Sequence, residues 1–183
     1  SVTSQGTSDV GDRAELLDRQ CQVGRIYQEK VGDLEQADRW FHSALEHDAN
    51  HLPALDALKD IYEQRGEYNE VVRVRKMMEA ATRSFPEKAV HLFAIGAVYD
   101  KHLDDRVTAI DFYEQAMDLD PQNVEAAQPL IEVYWEDKRW ERAEPLLDLT
   151  LAKLGPQMEL RDQQHLHYRL GFVTEKLHKE EKA

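Results

Sequence analysis

Residues 96–123 read GAVYDKHLDDRVTAIDFYEQAMDLDPQN, and the order of residues in this stretch decides the fold. Gly96 stands three residues before Tyr99. Ala109, Tyr113 and Ala116 follow at helical spacing, and the stretch closes on Asp120-Pro121-Gln122-Asn123. Small residues alternating with aromatic ones at these intervals mark two helices that cross closely. The proline fits the first turn of a new helix and not an interior. One unit is therefore a helix, a turn, a second helix and a stop.

Outward from this stretch the same order recurs. Tyr27, Tyr62, Tyr99 and Tyr134 lie 35, 37 and 35 residues apart, a period that signals stacked two-helix units. The first unit offers Gly24, Gly32-Asp33, Ala37, Phe41, Ala44 and a loop at Asp48-Ala49-Asn50. The second offers Leu58 and Gly66-Glu67-Tyr68. The fourth offers Leu130, Trp140, Ala143 and Leu147, and a fifth begins at Leu170-Gly171. A small residue before the tyrosine admits a close crossing. The tyrosine and the aromatic about fourteen residues later fill the wedge between helices. Gly-Asp or Gly-Glu closes the first helix, because glycine tolerates the left-handed cap.

In this register the chain resembles the tetratricopeptide repeat family over roughly residues 17 to 178. The third unit matches best, with Gly96, Tyr99, Ala109, Tyr113, Ala116 and Pro121 at family positions. Departures exist. Lys59 and Ile131 replace the usual small residue, Arg75 replaces the second unit's aromatic, and Ala49 replaces the loop proline. The first and third units carry about one extra residue in the turn between their helices.

The resemblance implies an all-α fold, a right-handed α-solenoid (superhelix) of antiparallel helix pairs. The expected solenoid covers 13–178, in units of about 17–50, 51–84, 87–122 and 123–155 plus a terminal helix at 159–178. First helices are predicted near 12–30, 51–65, 87–102, 124–137 and 159–178. Second helices are predicted near 34–47, 68–82, 104–118 and 140–154. Residues 1–12 are expected to be disordered, or a trimmed or added terminus. The last helix is either a cap that keeps the final apolar face dry or the start of a longer array.

Bulk properties narrow the function. The 183 residues carry 36 acidic and 23 basic side chains, a formal net charge of −13. That sign argues against nucleic acid as a partner. It favours cationic or neutral ones, with association that weakens as salt rises. The one cysteine, Cys21, rules out an internal disulfide and fits a reducing, cytoplasmic setting. No run approaches the ~18 apolar residues of a membrane span.

The family's first helices line its concave face. Carried onto this chain, that geometry gives a candidate groove of Asp56, Asp60, Glu63, Phe93, Asp100, Glu132, Trp135, Glu136, Tyr168 and Phe172. Carboxylates beside aromatic faces suit a protein or peptide segment bearing Lys or Arg and apolar side chains. The opposite reading makes the acids a solvated face and the aromatics packing between units. The carboxylate-clamp mode of heat-shock cochaperones is not expected. Its positions hold Cys21, Arg25, Ala57, Val90 and Ala94, or, one unit on, Asp56, Asp60, Ala94, Glu125 and Pro129.

Chemistry is sparse. The pairs His47/His51 and His165/His167 lack the further ligands of a tetrahedral metal set, Cys21 has no identifiable base, and no glycine-rich phosphate loop is present. No metal, cofactor or catalysis is expected. The function expected is that of a non-catalytic interaction module, a scaffold or adaptor. The alternatives are an export chaperone holding a substrate segment and a regulatory docking arm of a larger enzyme. Self-association through terminal helices is a further expectation.

Overall fold

The computed structural model describes residues 4–180, with side chains for residues 13–179. Every element of the described residues is helical. Nine α-helices follow in order: α1 (Ser4–Ile26), α2 (Leu34–His47), α3 (Leu52–Arg65), α4 (Tyr68–Ala81), α5 (Phe85–Lys101), α6 (Arg106–Leu119), α7 (Val124–Glu136), α8 (Trp140–Leu154) and α9 (Leu160–Glu180). A π-turn at Tyr27–Val31 extends α1, and a 3-10 turn at Gly155–Gln157 follows α8. The second helices lie within two residues of their predicted bounds. Of the stretch 1–12, residues 1–3 lie outside the described residues and residues 4–12 form the start of α1.

The chain divides into two compact units, residues 1–83 and 84–183. In the first, α1 packs on α2, α2 on α3 and α3 on α4. In the second, α5 to α9 pack in the same sequential way. The contacts follow the small residues. Ala37 and Ala44 in the first unit, and Ala109, Ala116 and Ala143 in the second, are all fully buried. A methyl side chain there lets the neighbouring helix backbone approach, and larger partners fill the remaining space. Phe41 (fully buried) and Tyr113 (4% exposed) occupy the aromatic positions.

The two glycines show how close the approach is. A Cβ at Gly24 would lie 2.8 Å from the Phe41 ring, and one at Gly96 would lie 2.7 Å from the Tyr113 ring and 3.0 Å from the Ala109 carbonyl. Both distances are shorter than van der Waals contact, so helix crossing here depends on the missing side chain.

The inner turns share one hydrogen bond. The N–H at the start of each second helix donates to the carbonyl of the preceding tyrosine: Asp33 to Tyr27 at 3.0 Å, Glu67 to Tyr62 at 2.9 Å, Asp105 to Tyr99 at 3.0 Å and Arg139 to Tyr134 at 2.8 Å. The loop it closes is one residue longer in the first and third repeats, which places the predicted extra residue. In the first repeat the π-turn absorbs it. The two longer turns start their second helix on an aspartate, and Asp33 and Asp105 accept from the N–H groups of Gln36 and Thr108 at 3.0 Å each. Just before the helix start, the backbone turns left-handed at Gly32, Gly66, Asp104 and Lys138.

The outer turn survives its departure from the family pattern. Asp48 in the first repeat and Asp120 in the third each accept from the N–H two residues on, at 3.0 Å, and from the N–H three residues on through the backbone. The aspartate carries the turn, so Ala49 can stand where Pro121 stands.

Candidate interaction surface

The acidic candidates of the first unit are already neutralised. Lys59, at the position expected to be small, bonds Asp56 at 2.7 Å and Asp60 at 3.1 Å. Burial opposes the charge on Lys59, but the bonds from Asp56 and Asp60 outweigh it and raise its pKa. Arg75, at the position expected to be aromatic, reaches Glu63 at 3.0 Å and is itself only 18% exposed. The two departures from the family pattern thus pair with the three first-unit acids of the expected groove.

The second unit repeats this theme with longer reach. Arg169 on α9 makes a bidentate bond to Glu132 on α7 and lies 5.0 Å over the Trp135 ring. Arg106 on α6 meets Glu136 at 3.0 Å. Asp100 hydrogen-bonds the Tyr113 hydroxyl; burial first, then this carboxylate, pushes the Tyr113 pKa up to about 12.

The aromatic candidates divide between packing and surface. Trp135, Trp140 and Phe172 form a triad with ring centroids 5.4 to 5.7 Å apart, two of its three contacts edge-on. That geometry suits the ring quadrupoles and joins α7, α8 and α9. Phe93 packs on Tyr113 at 5.6 Å. Tyr168 on α9 differs from these, with 66% of its surface exposed.

A second set of contacts was not read from the sequence. The hydroxyl at the tyrosine position is held by an acid on the preceding second helix. Tyr62 hydrogen-bonds Asp38, Tyr134 donates to Glu114 at 2.7 Å, and Thr174 donates to Glu144 at 2.9 Å. Thr174 thus takes the tyrosine position in α9, with Gly171 three residues before it. Glu114 is also held by Arg142 at 2.9 Å. Asp38 also holds His42 at 2.7 Å and Arg65 at 3.2 Å. Asp38 and Glu144 are each the fifth residue of their helix, a spacing that was available in the sequence.

Other chemistry is thin. Cys21 is buried, and burial raises its thiol pKa, which disfavours the reactive thiolate. Among the described residues no group of three or more His, Cys, Asp or Glu is placed to hold a metal ion. No helix of the described residues is long and apolar enough to cross a membrane.

The fold and these contacts define a class: an all-α solenoid of antiparallel helix pairs with a polar, largely self-paired first-helix surface. The tetratricopeptide repeat model matches residues 103–157. The crystal structure of MamA superposes with a TM-score of 0.58 at 22% identity, covering 92% of this chain and 94% of that one. YrrB, described as a TPR protein with an unusual peptide-binding site, gives 0.56 at 16% identity over 96% and 85%. Human Protein O-mannosyl-transferase TMTC3 is 29% identical over 142 residues, 78% of this chain. The match spans only 14% of that protein's length. The family-model match over residues 103–157 and these superpositions show a tetratricopeptide-repeat fold, which serves in general as a protein-interaction scaffold.

Proposed function

We propose that the chain is a non-catalytic adaptor that holds a segment of another protein on the first-helix side of residues 84–183. The observation that carries this reading is Tyr168. A large aromatic ring lies two-thirds exposed on α9, the helix that also carries Arg169 and Phe172. Exposed tyrosine is the kind of side chain that protein interfaces bury. The partner segment carries Lys or Arg and apolar residues. Its cations would exchange with those already bound, because Glu136 and Arg106 are 61% and 58% exposed and a pair of that kind is worth at most about 1 kcal/mol. The peptide-binding site named for YrrB supports the same general mode. The buried single thiol fits a reducing, cytoplasmic setting, which belongs to the same proposal.

The test uses Tyr168→Ala, since Trp135 is part of the packed triad and its loss would disturb the fold. Proteins captured by the wild-type chain and by the variant are compared by quantitative mass spectrometry, with helicity checked by circular dichroism. The expected outcome is loss of a defined set of partners with helicity retained. Identical capture by both chains would sink the reading. The match to Protein O-mannosyl-transferase TMTC3 favours a second reading, in which such repeats serve as a docking arm of a larger enzyme. Its mark would be a catalytic region elsewhere in the same polypeptide.

A further inference from the structure

In the second unit, α7, α8, the 3-10 turn and α9 leave a cavity of about 470 Å³. Its walls are apolar where Pro129, Ile131, Met158 and Leu166 meet. Thr150 lines it as well, but the Thr150 hydroxyl is committed to the Leu146 carbonyl at 2.8 Å and offers the cavity little polarity. The volume falls in the range of sites that enclose small ligands or single large side chains.

The mouth is polar and its charge is unbalanced. Arg169 and Glu132 both line it, and they are bound to each other. Asp162 lines it too, exposed and with no cation bound to it among the described residues. Arg169, Glu132, His165 and Asp162 thus stand around the apolar hollow, and Asp162 is its exposed carboxylate with no bonded cation among the described residues.

We infer that this cavity takes one bulky aliphatic or aromatic side chain of a partner segment, with a neighbouring Lys or Arg of that segment bonded to Asp162. The inference rests on the adaptor reading and assigns its anchoring point. An apolar anchor supplies affinity through burial, and the adjacent cation sets the register of the segment.

The probe is a displayed pool of random peptides selected on the whole chain. Enriched peptides are then measured against wild type, Met158→Trp, Asp162→Lys and Tyr168→Ala. Met158→Trp fills the hollow, and Asp162→Lys reverses the charge at an exposed first-turn position of α9, with helicity checked by circular dichroism. The expected peptides pair a Leu, Ile, Met or Phe with a nearby Lys or Arg. Their affinity should fall roughly tenfold in Met158→Trp, the scale of losing one buried side chain, and severalfold in Asp162→Lys. Methyl resonances of Ile131 and Leu166 should shift on saturation. Peptides that bind equally to Met158→Trp and Asp162→Lys, without shifting those methyls, would overturn the cavity assignment and leave the adaptor reading standing. No enriched peptide, together with unchanged capture by Tyr168→Ala, would overturn both.

Discussion

Gly96 and Gly171 occupy the same register in two first helices of one unit, three residues before Tyr99 and Thr174 respectively. Their surroundings are opposite. A Cβ at Gly96 would strike the Tyr113 ring and the Ala109 backbone, whereas one at Gly171 would meet nothing within 4 Å. Gly96 is closed over by its own second helix, α6. Gly171 has no such cover, although α9 packs on α8 and also meets α7 through Phe172 and Arg169. The same small residue is thus a structural necessity in one helix and a vacancy in the other. The repeat pattern in the sequence marks the register but does not say what packs over it.

Alkali should have the largest effect, through the tyrosines at closely packed positions. Burial and neighbouring carboxylates raise the pKa of Tyr62 and Tyr113 to about 12, and raise that of Tyr134 as well, from the ordinary value of about 10. The folded state therefore holds these protons more tightly than the unfolded state. Its stabilisation is complete below pH ~10 and lost as pH rises toward ~12. Ionisation of these three tyrosines, followed by their ring NMR signals, should appear together with loss of helicity in that window. Ionisation of these tyrosines well before unfolding would contradict the packing described.

Gly96→Ala comes next. Overpacking against Tyr113 and a fixed carbonyl should lower unfolding stability by about 1–3 kcal/mol in a denaturant titration. A neutral result would mean that the crossing has slack the geometry does not show. Removing the hydroxyl bond that anchors α9 is smaller. Thr174→Val should cost about 0.5–1.5 kcal/mol, because Glu144 loses its donor while the shape is kept. Gly171→Ala should give the smallest change and the opposite sign, a gain of about 0.5–1 kcal/mol from helix propensity alone. A loss there would show that some neighbour covers the face in solution.

Much of this was legible in residue spacing, for a physical reason. Helix crossing needs small and aromatic residues at fixed intervals, so Gly24, Ala37, Phe41, Gly96, Ala109 and Tyr113 had to appear where they do. The extra turn residue was countable as well. The state of the acids was less legible. Asp56 and Asp60 flank Lys59 on one helix, and their pairing could have been read at that spacing. Arg75 reaches Glu63 over 12 residues, Arg106 reaches Glu136 over 30, and Arg169 reaches Glu132 over 37. Which carboxylate each arginine meets depends on how helices face one another, and periodicity does not carry that. The cavity beside Pro129 was equally hidden, since it arises from how the 155–159 connection delivers α9.

The hydrogen bond from each second-helix start to the preceding tyrosine carbonyl has a consequence for how such chains vary. It closes at nearly the same length over a short turn and a longer one. One residue can therefore be inserted or deleted at this point without shifting the helices on either side. Copies of a unit can drift in length there and still stack, and a loop grafted into this protein would be best tolerated at the same point.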